Sequence, residues 1–124
     1  MTVYLDTEDL LQLVDDLGVG PVRDLGLLDS AAHRPSAWIL GVEAYPGIDG
    51  KAAVLLESLA THRPLVDGNK RLGWLALAVF FSINGVELDA PDDPAYDLVI
   101  AVADGSVDAT AAAERLAAWT TAAS

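Results

Sequence analysis

Apolar residues recur along this chain at intervals of three and four, the period of helices with one buried face, and turn residues divide them into separate stretches. Leu10, Val14 and Leu17 share one side of a first helix that Asp6 can cap, with Glu8 and Asp9 in its opening turn and Gly18 at its end. Gly18 to Pro21 reads as a turn. A short helix over Asp24 to Ala32 stops at Arg34-Pro35, because proline disfavours helix at the residue before it. Pro35 to Gly50 carries prolines and glycines among Trp38, Ile39, Val42 and Tyr45, which fits a loop or a short extended flap.

A third helix begins at Asp49 or Gly50 and runs to about Thr61, with Ala53, Leu56 and Ala60 at helical spacing. Pro64 to Gly68 breaks the pattern. From Asn69 to Asn84 a long helix is apolar nearly all round, which predicts burial on every side. Asn84-Gly85 stops it, Asp93-Pro94 reads as a cap and first residue of a fifth helix ending at Gly105, and Asp108 starts a last helix through Leu116 and Trp119. The expected fold is all-α: one domain over residues 1–124, with about six helices around the buried helix that starts at Asn69. The three tryptophans, Trp38, Trp74 and Trp119, read as core anchors among apolar neighbours.

Composition narrows the function. With no cysteine there is neither a disulfide framework nor thiolate chemistry, which suits the cytoplasm. The run Trp74 to Ile83 is about half of what spans a bilayer, so no membrane partner is expected. Seven basic against nineteen acidic residues give a net charge of -12, which would repel the backbone of a nucleic acid. Arg63, Lys70 and Arg71 nevertheless fall within nine positions of one another.

Those cations flank Val66-Asp67-Gly68-Asn69-Lys70-Arg71, where a loop becomes the start of the long helix. Helix N-termini present unpaired N–H groups and partial positive charge, and so attract phosphate. Gly68 permits close approach of an anion, Asn69 adds an amide, and Lys70 and Arg71 can neutralise a polyphosphate. Asp67 would repel such a ligand unless a divalent cation lay between them, which points to magnesium. A plainer reading makes Asp67 a helix cap and the two cations a solvated first turn.

The segment resembles the Fic-family motif, His-Pro-Phe-x-Asp/Glu-Gly-Asn, and its Lys-Arg continuation is that of the Doc branch. Fic adenylyltransferases continue Gly-Arg or Gly-Lys, with a second arginine where this chain has Trp74. Arg23-Asp24-x-Gly-Leu-Leu, Ser30-Ala31, Arg34-Pro35, Tyr45-Pro46, Lys51-Ala52-Ala53 and Asn84-Gly85 also look like Doc sequence, in the expected order. The resemblance implies a Fic fold, transfer of phosphate from ATP with Mg2+ to elongation factor Tu, arrest of translation, and restraint by a Phd-like antitoxin. By position, Asp67 would hold the metal, Gly68, Asn69 and Lys70 the phosphates, and Arg71 the transition-state charge. Residues 34 to 48 lie where Fic proteins carry a flap that docks the target, so Tyr45 and Trp38 are candidates to border the substrate cleft.

One position departs from the family. Its catalytic histidine stands four residues before the acidic one, and here that place is taken by Arg63, with Leu65 in place of phenylalanine. Arginine stays protonated and binds phosphate but cannot accept a hydroxyl proton. His62 would need a local distortion to replace it, since neighbouring helical residues point about 100° apart. The chain therefore reads as an impaired kinase-like toxin, either a degenerate homologue or, preferably, a version with its base deliberately removed to spare the producing cell. A nucleotidyltransferase (AMP transfer) and a non-catalytic nucleotide- or antitoxin-binding protein are the alternatives. His33 reads as a structural contact. The inhibitory Ser/Thr-x-x-x-Glu-Gly/Asn helix of some Fic proteins is incomplete here, since Thr110 and Glu114 are followed by Arg115.

Overall fold

In the computed structural model, which describes residues 1–122, the helical period becomes six helices. They are α1 (Thr7–Leu17), α2 (Leu25–His33), α3 (Ile48–His62), α4 (Asn69–Ile83), α5 (Asp92–Ala103) and α6 (Ala109–Ala117). Asp6 and Asp9 form a reciprocal cap on α1, each carboxylate accepting from the other's backbone N–H at 2.8 and 2.9 Å. Asp24 and Asp108 cap α2 and α6 as their positions suggest. α5 starts earlier than expected, at Asp92 with Pro91 as its cap residue, so Asp93 is not the cap and Pro94 lies inside the first turn. Proline is tolerated there because first-turn amides have no partner within the helix.

Two short antiparallel ribbons accompany the helices. β1 (Trp38–Ile39) and β2 (Val42–Glu43) form a hairpin between α2 and α3, and β3 (Val86–Leu88) pairs with β4 (Thr120–Ala122). The second ribbon has no counterpart in the sequence reading, since two or three residues are too few to display alternation. It also ends α6 early: Trp119 lies beyond the helix, and its carbonyl accepts from Asp89 N–H at 2.8 Å.

The centre is a pair of helices. α3 buries nine residues and α4 seven, so the central place expected of α4 is shared. Gly73 lets them approach: a Cβ there would lie 2.9 Å from Leu56 Cδ1. Leu55, Leu56 and Leu59 of α3 pack with Leu72, Leu77, Phe80 and Phe81 of α4, and Leu98 and Leu116 close the core from α5 and α6. α4 is not covered on all sides. Trp74, Ala78 and Ser82 line an open cleft against Val86 to Ala90, so part of its apolar girth faces a groove rather than the core.

The 38–43 hairpin stands out from the body. Trp38 is 64% exposed, which overturns its reading as a core anchor, whereas Trp74 and Trp119 do pack against the core. Leu40 at the tip is 98% exposed with φ of 51°, unusual for a branched side chain. The hairpin's base is held firmly. The buried Lys51 ammonium donates to the carbonyls of Pro35 and Tyr45, and Arg34 donates to the Tyr45 hydroxyl and Ser58 Oγ while pairing with Glu57 at 2.8 Å.

Asp49, in the first turn of α3, accepts from Thr120 Oγ1 at 3.4 Å and ties β4 to the bundle. Burial raises its pKa above the ordinary 3.8, outweighing that hydrogen bond. The fold thus favours the protonated acid, and this contribution is full below 3.8 and lost as pH rises through the raised value. Thermal melts of Asp49→Asn should therefore improve relative to the parent across that acid window and hold a constant difference above it; a difference that shrinks with rising pH would contradict the assignment.

Candidate active site

α3 ends where Pro64 removes helical freedom from the residue before it. Arg63, at that point, turns left-handed with φ of 55° and ψ of 62° and carries the chain out of the helix. Arg23 closes the open end. Its Nε donates to Arg63 O at 3.2 Å, its Nη2 to the same oxygen and to His62 O at 3.3 Å, and its backbone N–H to Pro64 O at 2.7 Å. A guanidinium suits this position because helix C-termini leave carbonyls unpaired and carry partial negative charge.

The loop that follows is stitched to residues 19–24. Asp24 N–H donates to Pro64 O at 3.0 Å, Val66 N–H to Pro21 O at 2.9 Å and Gly20 N–H to Asp67 O at 3.0 Å. Gly68 is required on two counts: its φ is 94°, and a Cβ would sit 2.5 Å from Val19 Cβ. The Asn69 side chain turns inward. Buried to 7% exposure, its Oδ1 accepts from Leu65 N–H at 2.8 Å and its Nδ2 donates to Leu65 O at 2.9 Å, so the amide read as a phosphate ligand locks the loop instead. Asn69→Ala should destabilise the protein by about 2–4 kcal/mol, since it leaves both buried Leu65 groups unpaired. Urea unfolding that shows a loss below about 0.5 kcal/mol would contradict this role.

With Asn69 engaged, no side chain among the described residues caps α4, and its first turn holds no carboxylate. Lys70 and Arg71 are exposed there, and neither makes an ion pair among the described residues. Both line a cleft of about 550 Å³ between α4 and α5, whose walls include Leu17, Trp74, Leu75, Tyr96 and Val99. Asp92 is its one carboxylate. The structure thus joins Lys70 and Arg71 in one cavity, while Arg63 and Asp67 stand exposed on the loop and outside that lining.

No cluster of three or more metal-ligating side chains occurs among the described residues. The single exposed carboxylate of Asp67 still fits a magnesium ion that takes its other oxygens from phosphates and water. Cysteine and histidine donors would have spoken against magnesium, and none belongs to this loop.

Arg23 is the residue that the chain's pattern did not single out as part of the site. Its one signal was its place in the run Arg23-Asp24-x-Gly-Leu-Leu that looks like Doc sequence, which assigns it no role, since its contacts depend on a meeting of segments some forty positions apart. His33 bonds Asp29 O at 2.9 Å, one turn back in its own helix, as a structural contact would. Thr110 and Glu114 are exposed on α6. No helix of the described residues is long and apolar enough to cross a membrane.

Comparison with known proteins agrees with this geometry. The Fic/DOC family model matches residues 4–81, which takes in α1 through most of α4 and the whole motif loop. The chain is 48% identical over 128 aligned positions to Toxin Doc of Mycolicibacterium smegmatis (strain ATCC 700084 / mc(2)155), covering 99% of this chain and 98% of that protein. A loop-to-helix motif at the mouth of α4, inside a match that runs almost end to end, places this chain in the Fic/Doc family.

Proposed function

We propose that this protein is a Doc-type toxin whose site binds ATP with magnesium for phosphate transfer to a translation factor resembling elongation factor Tu, in a form impaired by Arg63. The observation that carries this reading is the uncapped start of α4, where two unpaired cations share one cleft. Backbone N–H groups of that turn receive phosphate oxygens, Lys70 and Arg71 neutralise their charge, and the cleft offers the nucleoside an apolar wall at Trp74. Magnesium, when bound at Asp67, supplies further neutralisation of the phosphates. Gly68 and Asn69 shape the turn that aims these groups.

Phosphate transfer is preferred over AMP transfer because Trp74, an apolar side chain, stands where the nucleotidylating branch has a second arginine. A non-catalytic binding role is the second reading, favoured by Arg63 alone, which cannot take a proton at neutral pH. A Phd-like antitoxin supplies the restraint that α6 does not, and a net charge of -12 suits a tail carrying lysine or arginine. Intact-mass measurement of purified elongation factor Tu after incubation with Mg-ATP and the Arg63→His protein decides among these. A phosphate adduct supports the first reading, an AMP adduct the nucleotidyltransferase, and an unchanged mass the binding protein.

A further inference from the structure

Three consecutive carbonyls, those of His62, Arg63 and Pro64, all accept from Arg23: the first two from its guanidinium, the third from its own backbone N–H. These are the carbonyls on either side of the one left-handed turn between α3 and the motif loop. A left-handed arginine is strained, and such a conformation persists only where surrounding bonds hold it. At fixed φ and ψ the carbonyl and the Cβ of a residue are rigidly related about its Cα, so holding the oxygen of residue 63 also sets where its side chain points.

From this geometry we infer that Arg23 is a positioning residue, which fixes the direction in which the side chain of residue 63 leaves the motif loop by clamping the carbonyls around it. The functional part of this inference rests on the reading of position 63 as that of the proton acceptor. The Arg23 guanidinium is engaged with these carbonyls and does not line the cleft with Lys70 and Arg71. Its effect should fall on turnover and spare affinity for ATP. Lysine in its place can still reach a carbonyl with a cation, whereas methionine keeps much of the length and loses every donor.

Two measurements on the full chain separate the clamp from the chemistry. The first needs no activity: backbone couplings and chemical shifts of residue 63, read by NMR in the otherwise unchanged protein. Arg23→Met should abolish the left-handed signature and Arg23→Lys should keep most of it; an unaltered signature in the methionine variant overturns the inference. The second is steady-state transfer from ATP to purified elongation factor Tu in the Arg63→His background. Arg23→Met should lower kcat at least tenfold with KM for ATP within twofold, and Arg23→Lys should recover most of the loss. Asp108→Ala, which removes the α6 cap and leaves the bonds to the motif loop in place, serves as a destabilised variant that should leave kcat unchanged.

If Arg63→His itself transfers nothing, the proposed function fails, and the NMR result alone decides whether Arg23 is a clamp. If Arg63→His is active and Arg23→Met matches it, the positioning role is wrong. Should the methionine variant fail to fold, Arg23→Lys against Arg23→Gln carries the same comparison, with equal kcat in the two contradicting the inference.

Discussion

Arg63→His is expected to raise phosphate transfer to elongation factor Tu by about 10²–10⁴-fold, the usual contribution of a positioned general base. Arginine at this site can only donate, while histidine titrates near neutrality and can accept the target's hydroxyl proton. The backbone favours the exchange as well. Position 63 has φ of 55°, a region that histidine enters several times more readily than most residues. Its side chain is exposed, so the substitution opens no cavity, and stability should hold or improve slightly. Growth arrest on expression, relieved by further mutation of Lys70, is the cellular form of the result. Soluble Arg63→His protein with the parent's rate and harmless to its host would remove position 63 from the chemistry.

Gly68→Ala should have the largest effect on stability among single substitutions in the site. Left-handed backbone is expected to cost alanine about 1–2 kcal/mol there. The new methyl would meet Val19 Cβ at 2.5 Å, so residues 19–24 must shift, which adds about 1–3 kcal/mol by overpacking. Gly85→Ala isolates the two contributions. That glycine also has positive φ, at 71°, yet a Cβ there meets nothing within 4 Å. Urea unfolding should give Gly68→Ala the greater loss by about 1–3 kcal/mol, with weakened ATP binding besides. Equal losses in the two variants would mean that the contact between the motif loop and Val19 does not constrain the site.

Much of this fold was legible because its signals are local. Asp6 caps α1 as the sequence suggests, Asp24 and Asp108 stand at the starts expected for α2 and α6, and the leucines of α3 and α4 meet in the core at their predicted spacing. α5 starts two residues earlier than expected because Pro94 is as comfortable inside a first turn as at its start. Strands of two or three residues carry no periodicity, so β3 and β4 left no trace. Apolar residues all round α4 were read as burial, but Trp74, Ala78 and Ser82 face a cleft. Composition tells that a face avoids charge, and says nothing of whether another element covers it.

The site divides along the same line. Lys70 and Arg71 were legible as a charge cluster at a helix start, and they share a cleft. Asn69 was chemically ambiguous, since a carboxamide serves a phosphate or a backbone equally well, and the loop's own N–H and C=O at Leu65 claimed it. Arg23 was visible only as part of a family-like run, and its role was not, because that role exists only once residues 19–24 lie against residues 62–68.

Whether the mouth of α4 grips a nucleotide is tested most directly by calorimetric titration of Mg-ATP into the unchanged protein and into its Lys70→Ala/Arg71→Ala form. Binding to the first, weakened at least a hundredfold in the second and falling with added salt, is the expected result. Equal affinity in the two proteins, or no binding to either, would contradict the account.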